Sequence, residues 1–544
     1  MSDATEETAY TSLDPDQIDR LRPYGRVLQV PEGELLFREG DTDLDLFILL
    51  EGEFVLGRIG MPGEQELEIG TAAAGNIMGE YAVLTGEAAY IHSRAVVRSE
   101  VLAVSEPALR ELMASDHDLG DLLFAVLVAR RELQLVGDLA IVALTIVGSR
   151  HTSRTLELVG YARRMRVAHR WVDPEDDPTV YDRLVSAGVE RSELPVAVTP
   201  TVMLRRPTVG ELAAQLGLLY HPTSLHIHDV VVVGAGPAGL ASAVYGASEG
   251  LDTVVLDSRS VGGQAGTSSR IENYVGFPTG ISGGELAERA SLQAQRLGAR
   301  ITSPASCSSI DAVCDGYRLT LDDDSTLMSR TVVLAVGVQY RKLALDRLAE
   351  FEGAGIYYAA TELEARVCGD SPVTVVGGGN SAGQAAIYLA QQGAEVTIAI
   401  RGESLIASMS AYLIDRIEAS PHIEVATGTE VTKLHGDGRL TGITRTDRET
   451  GQTTSHDCSG LFLFIGAIPY TDWVSGLIQL DDRGFILTDS SVTDSPGYKP
   501  LAYETSQPGI FAAGDARAGS MKRVAAAVGE GSSAIRSVHQ HLAP

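Results

Sequence analysis

The stretch that most restricts this chain runs from Asp229 to Asp257 and reads DVVVVGAGPAGLASAVYGASEGLDTVVLD. Val230–Val233 has the unbroken apolar character of a strand buried on both faces. It runs into Gly234-x-Gly236-x-x-Gly239, then a small-residue helix, then a second apolar strand, Thr253–Leu256, ending on Asp257. Gly234 permits the tight turn, Gly236 lets backbone amides approach a pyrophosphate, and Gly239 lets the helix pack on the strand. Pro237 and Ala238 belong to the same turn, where the helix N-terminus offers unpaired N–H groups and a favourable dipole to an anion. Asp257 stands where a carboxylate accepts hydrogen bonds from ribose hydroxyls. The glycine spacing alone is weak, but strand, helix, second strand and acid in this order predict a dinucleotide site.

The pattern recurs once. Val373–Val376 enters Gly377-Gly378-Gly379-Asn380-Ser381-Ala382, with Ala382 replacing the third glycine, and a helix carries on to Gln392. A strand over Glu395–Ile400 then ends at Arg401. An acid at that position selects NAD through the ribose 2′-hydroxyl, whereas arginine suits a 2′-phosphate. Arg401 favours NADPH, while Glu403 and the lack of a second adjacent arginine leave NADH open. Two nucleotide sites on one chain make a hydride-transfer pair, for which the protein holds two rings stacked and dry.

A chain of 544 residues holds about three or four domains of ordinary size. Its net charge of −29 argues against nucleic acid, because phosphate contacts need a basic surface. No apolar run long enough for a transmembrane helix is present. The polar, acidic start MSDATEETAY is unlike a signal peptide, so a cytoplasmic protein off the membrane is expected. None of the four cysteines, Cys307, Cys314, Cys368 and Cys458, forms a C-x-x-C pair; Cys307 and Cys314, seven apart, read as buried thiols, with a hairpin pairing as the alternative. His221, His226 and His228 read as solvated linker residues, and no metal is expected.

Residues 1–140 form the first expected domain, and from about Pro15 to Glu106 it alternates short apolar runs (Glu34–Phe37, Leu46–Leu50, Phe54–Arg58, Val96–Val104) with glycines and acidic turns. One long helix with a wide apolar face then spans Glu106 to Asp138. PEGELLFREGDTDLDLFILLEGEF and Met78-Gly79-Glu80-Tyr81-Ala82 resemble the cyclic-nucleotide-binding β-roll family. The resemblance implies a ribose-binding pair at Gly79 and Glu80. Aligned on Ser93, however, His92 stands where the family's phosphate-binding arginine belongs, and only Arg94 substitutes. A neutral histidine cannot neutralise a phosphate. A roll used for packing or dimer contacts is therefore expected, with nucleotide binding through Gly79, Glu80 and Arg94 as the alternative. No helix-turn-helix follows.

Residues 141–220 turn α/β. Strand Ile141–Val147, a helix over Arg154–Arg164, strand Arg166–Val172 and a helix over Pro178–Ser186 come first. Strands near Val196–Val198 and Val202–Leu204 follow, then a helix with Thr208 and Glu211 in capping-box spacing. This order resembles the thioredoxin/glutaredoxin fold. Leu194-Pro195-Val196 falls where that family has its cis-proline. The family's dithiol position reads Ser149-Arg150-His151-Thr152-Ser153, without sulfur. An adaptor or docking domain is the reading.

From about His228 onward, GAGPAGLASAVYGA, Gly262-Gly263-Gln264, Ile271-Glu272-Asn273-Tyr274 and Gly509-Ile510-Phe511-Ala512-Ala513-Gly514-Asp515 closely resemble the thioredoxin reductase family. The resemblance implies an FAD-binding domain over 228–342 and 466–544, with an NAD(P)H-binding domain over 343–465 inserted in it. It implies that Gly263, Gln264, Asn273, Gly337, Gly514, Asp515, Arg523 and Val524 meet FAD, and it implies a homodimer. The family's C-A-T-C is missing: Ala359 and Glu362 occupy the two cysteine positions. A disulfide relay passes through a mixed disulfide and requires sulfur. The expected fold is thus multidomain: a β-roll with a long helix, a thioredoxin-like domain, and two Rossmann-like domains, the second inserted in the first. The expected function is hydride transfer from NADPH to FAD, then to a non-dithiol acceptor such as ferredoxin, flavodoxin, a quinone, another small molecule or oxygen. The alternative is a regulatory flavoprotein whose redox or ligand state controls partner binding through the N-terminal domains.

Overall fold

In residues 26–104 short apolar strands separated by glycine turns build two four-stranded antiparallel sheets. The strands are β1 (Arg26–Val30), β2 (Leu35–Phe37), β3 (Leu46–Glu51), β4 (Phe54–Arg58), β5 (Leu67–Ala72), β6 (Ile77–Met78), β7 (His92–Ala95) and β8 (Ser99–Val104). The sheets run β1-β8-β3-β6 and β2-β7-β4-β5, and Phe37, Phe47, Leu49, Phe54 and Val101 fill a core from their strands. The computed structural model describes residues 7–58, 67–136, 143–220, 226–268, 270–493 and 498–543. No helix among them is long and apolar enough to cross a membrane.

Helix α1 (Pro15–Leu21) precedes the roll, α2 (Glu80–Thr85) sits inside it, and α3 (Glu106–Ser115) and α4 (His117–Val136) follow it. Two sequence expectations are corrected here. The expected strand Val96–Val104 begins only at Ser99, after a turn. The expected single helix from Glu106 is two, broken at Asp116, whose backbone leaves the helical region (φ −123°, ψ 86°) and whose carboxylate accepts the Leu119 N–H at 3.2 Å.

The next segment holds β9 (Leu144–Val147), α5 (Ser153–Arg164), β10 (His169–Val172), α6 (Pro178–Ser186), β11 (Val196–Val198), β12 (Met203–Arg205) and α7 (Val209–Gln215). Its sheet runs β10-β9-β11-β12; β10 lies parallel to β9, and β11 antiparallel to β9 and β12. The Leu194–Pro195 peptide is cis, and Thr208 and Glu211 form the capping box of α7. The strand expected from Arg166 starts at His169 because Arg166 turns at φ 55°. Ile141, the expected start of the first strand, lies outside the described residues.

The chain forms two compact units, Met1–Ser149, Glu157–His221 and Leu292–Pro304 in one, Arg150–Leu156, Pro222–Ser291 and Ala305–Pro544 in the other. In the second unit, β13 (Ile227–Val233), α8 (Pro237–Ser248) and β14 (Thr253–Leu256) realise the strand–helix–strand pattern. Along the chain come helix α9 (Gly283–Leu297) and β15 (Arg300–Thr302), of which Leu292–Pro304 counts with the first unit, and then, in the second, β16 (Cys307–Val313), β17 (Gly316–Leu321) and β18 (Thr326–Leu334). Strand β13 lies parallel between β14 and β18, and β16 and β17 extend the sheet antiparallel.

After β19 (Val338–Tyr340) the chain leaves this sheet to form a second one. It comprises α10 (Leu348–Phe351), β20 (Ile356–Tyr357), α11 (Glu362–Cys368), β21 (Val373–Val376), α12 (Asn380–Gln391), β22 (Val396–Ala399), α13 (Ala411–Glu418) and β23 (Ile423–Ala426). The antiparallel sheet β24 (Thr429–Gly436), β25 (Leu440–Asp447) and β26 (Thr453–Asp457) precedes β27 (Gly460–Leu463). The parallel order is β20-β27-β21-β22-β23. The chain returns through β28 (Ala467–Pro469), which pairs antiparallel with β19, so the outgoing and returning crossings brace each other. Finally β29 (Ile510–Ala512) joins β18 in parallel, and α14 (Val524–Leu542) closes the unit.

Candidate functional site

The first glycine turn is dictated by space. A Cβ on Gly234 (φ +109°) would lie 2.2 Å from the Ala335 carbonyl oxygen, and one on Gly239 would lie 1.7 Å from the Gly234 carbonyl oxygen. No side chain fits at either position, so α8 starts directly on the end of β13. Gly236 caps α8 in an extended conformation (φ −73°, ψ −177°) and Pro237 and Ala238 begin its first turn. The Gly262-Gly263 loop faces it: a Cβ on Gly263 would meet the Gly236 Cα at 3.0 Å. A bare backbone cradle at a helix N-terminus suits a pyrophosphate. Asp257 holds the cradle together, accepting N–H groups from Ala235 (2.8 Å), Arg259 (2.9 Å) and Ser260 (2.9 Å). Burial pushes its carboxyl above the usual range against those three bonds.

The C-terminal segment meets the same helix. A Cβ on Gly514 (φ +78°) would lie 2.9 Å from the Ala238 Cβ, and one on Gly531 would lie 2.0 Å from the Ala238 carbonyl. Buried Glu530 fixes this turn. Its carboxylate accepts the Gly514 N–H at 2.8 Å and two N–H groups of Arg517 at 3.1 and 2.9 Å. Burial, with Glu530 adding to it, raises the Asp515 carboxyl, while Lys522 opposes the shift. Arg523 and Val524 open α14. Glu530 and Arg517 escaped the sequence reading, because nothing local marks an acid deep in a helix as the partner of a distant glycine. Gln264 donates to the Val338 carbonyl, next to Gly337, whereas Asn273 is exposed on its loop.

The second turn follows the same rule: a Cβ on Gly377 (φ +139°) would meet the Phe464 carbonyl at 2.3 Å, and Gly379 caps α12. Asn380 is bound to Ser410, whose N–H it accepts at 2.7 Å; Ser381 is exposed and Ala382 buried. Arg401 lies 3.4 Å from Glu430, and Arg448 lies 3.9 Å from the same carboxylate oxygen. Arg448 also donates to the Arg401 carbonyl at 3.3 Å. No second arginine adjoins Arg401 in sequence. The structure supplies Arg448 from the turn between β25 and β26, brought over because the Thr429 N–H donates to the Ile400 carbonyl and the Gly428 N–H to the Gly402 carbonyl.

Before this turn, Ala359 is partly buried. Thr361 and Glu364 form a cap, with the Thr361 N–H donating to Glu364 at 2.8 Å. Tyr340 on β19 stacks on Tyr358 (centroids 6.1 Å apart, 15° between planes). The Tyr358 hydroxyl donates to Glu352, which also pairs with Lys342 at 2.6 Å. Cys368 and Cys458 are buried and free, and burial pushes the Cys368 thiol up to about 12. Cys314, by contrast with the sequence expectation, is exposed, because it falls in the turn just after β16.

On the roll, Gly79 (φ +77°) caps α2 and Glu80 is buried in an ion pair with Arg130 of α4 at 2.8 Å. Arg130 also donates to the Ala9 and Ile77 carbonyls at 2.7 and 2.9 Å. His92 is buried against Glu39 at 2.8 Å, and Arg94 stands opposite Val55 and Leu35 on β7. The structure therefore engages the expected ribose carboxylate internally. A further correction concerns the histidines: His228 is a buried residue of β13, not a solvated linker residue, while His221 lies outside the described residues.

Two glycine turns at strand–helix junctions, the second domain inserted in the first, define a two-dinucleotide oxidoreductase architecture. The chain belongs to the pyridine nucleotide-disulphide oxidoreductase family, matched over residues 228–531, and residues 27–116 match the cyclic nucleotide-binding domain. It is similar to the thioredoxin reductase of Streptomyces clavuligerus, at 33% identity over 318 residues, 58% of this chain and 94% of the relative. The thioredoxin reductase of Mycolicibacterium smegmatis is 32% identical over 323 residues, 59% of this chain and 98% of the relative. Among solved structures, T. acidophilum thioredoxin reductase is 32% identical with a TM-score of 0.52, covering 57% of this chain and 98% of that one. This half of the chain is therefore a thioredoxin reductase-like oxidoreductase.

Proposed function

We propose that the chain is an FAD-dependent NADPH oxidoreductase that passes electrons to an acceptor other than a dithiol. One observation carries the reading: two nucleotide turns share a unit in which positions 359 and 362, before the second turn, hold alanine and glutamate. FAD when bound supplies a ring that takes hydride from the nicotinamide. The amides around Gly234, Gly236 and Gly263 would bind its pyrophosphate, Asp257 its ribose and Asp515 its ribityl region. Glu530 holds the Gly514–Asp515 turn in place. On the nucleotide substrate, Gly377, Gly379 and Ala382 give the pyrophosphate turn, and Arg401 with Arg448 supplies two cations for a 2′-phosphate, which supports NADPH over NADH.

With no sulfur pair beside the ring, the acceptor is a one-electron protein, a quinone, another small molecule or oxygen. The test is anaerobic titration of the yellow protein with NADPH and with NADH, followed by an acceptor screen. Thioredoxin reduction should appear only after Ala359→Cys with Glu362→Cys. Robust thioredoxin reduction by the unmodified protein, insensitive to replacing all four cysteines, would overturn the reading. A second reading, a flavoprotein that regulates a partner, draws on Glu80: a ligand claiming that carboxylate must break its bond to Arg130 on α4. In either case the β10-β9-β11-β12 domain, thioredoxin-like in order but without cysteine, serves for docking.

A further inference from the structure

We propose that His226, His228 and Asp252 bind one divalent transition-metal ion of the zinc class at the N-terminal edge of the first nucleotide-binding sheet. His226 and His228 are two residues apart at the start of β13, a spacing that sends both side chains to one face of a strand. Asp252 immediately precedes β14, the parallel neighbour of β13. His226 Nε2 lies 2.5 Å and His228 Nδ1 2.7 Å from the same oxygen, Asp252 Oδ2. All three ligand atoms fall within 4.8 Å of one another, and the two imidazoles meet edge-on at 4.6 Å.

The backbone holds these groups in place. The Asp229 and Val230 N–H groups both donate to the Asp252 carbonyl at 3.2 Å, and the Asp252 N–H donates to the Asp229 carboxylate at 3.1 Å. The carboxylate is thus placed by two strands at once. A zinc ion about 2.0–2.2 Å from each donor separates the donors to roughly 3.4 Å, so each histidine–carboxylate pair needs to open by less than about 1 Å. Two imidazoles and one carboxylate are donors for zinc, cobalt or nickel rather than for calcium or magnesium, which take oxygen. The His228 side chain is fully buried and that of His226 is 48% exposed. One histidine is therefore fixed by the core, while the other leaves an open side for entry and for water as the fourth ligand.

The position also sets the role. His226 lies at the opposite end of β13 from Gly234, roughly 25 Å away at about 3.3 Å per residue. The ion clamps the starts of two strands and takes no part in hydride transfer.

The experiment uses the full-length, flavin-loaded protein after treatment with a chelator. Cobalt(II) titration should produce visible d–d bands beyond the flavin absorption, saturating at one ion per chain and displaced by zinc. Calorimetry with zinc should give the same stoichiometry. His226→Ala and Asp252→Asn, one exposed and one nearly isosteric, should each weaken zinc at least tenfold and leave flavin content unchanged. Absence of binding at micromolar zinc would overturn the proposal, and so would one-to-one binding that persists in the double variant. Neither result bears on the oxidoreductase reading, which rests on the far end of the sheet.

Discussion

Arg448 shows how much one residue decides. Arg401 alone is a half-argument for NADPH; with Arg448 near the same Glu430 oxygen, a 2′-phosphate would find two guanidinium groups and one competing carboxylate. Arg448→Ala should weaken NADP⁺ about tenfold, the low end for a charge-assisted bond because the site is exposed, with NAD⁺ changed less than about twofold. Glu430→Gln should tighten NADP⁺ a few-fold. Equilibrium titration of both nucleotides checks both variants. Gly239 makes the opposite kind of case, since a Cβ 1.7 Å from the Gly234 carbonyl has nowhere to go. Gly239→Ala should cost more than about 3 kcal/mol and abolish flavin retention, read from thermal unfolding and from absorbance per chain. The thiols divide by burial. Cys314 should react with a thiol reagent at pH 8 in the folded protein, whereas Cys368 and Cys458 should react only after denaturation.

Among the elements, β10 carries the clearest pH dependence. His169 donates from Nδ1 to the Val167 carbonyl at 2.7 Å, yet burial pushes its ring below its ordinary 6.5. The native state therefore keeps the ring neutral while the unfolded chain takes up a proton below about 6.5. This contribution is full above that value and is lost as pH falls towards the native value. Urea unfolding of the first unit should show lower stability at pH 5.5 than at 7.5, and His169→Gln should reduce the difference. Helix α14 illustrates packing instead. Gly531 brings it against the Ala238 carbonyl, which lets Glu530 reach the Gly514 N–H, so one glycine sets the position of an acid that organises the Gly514–Asp515 turn.

For the whole molecule, the second nucleotide-binding fold is an insertion, and the antiparallel pair β19 and β28 carries both crossings. Tyr340, Tyr358, Lys342 and Glu352 cluster at this junction. The proposed electron route past this junction uses no sulfur. A variant with all four cysteines replaced by serine should keep NADPH turnover with a non-dithiol acceptor within about twofold, measured by NADPH consumption under steady state; loss of turnover with flavin retained would place an essential thiol in the route.

The glycine turns and the strand and helix pattern around them were legible in the sequence. Each depends on residues close together in the chain, where backbone sterics leave few options. The same local logic failed at Asp116 and Val96, where a side-chain bond or a turn interrupts an apolar run. The partners Arg448 for Arg401, Glu530 for Gly514, Arg130 for Glu80 and Asp252 for His226 and His228 were set by tertiary structure alone. Each pairs groups far apart in sequence through sheet register or helix packing, which no local pattern of residue types encodes.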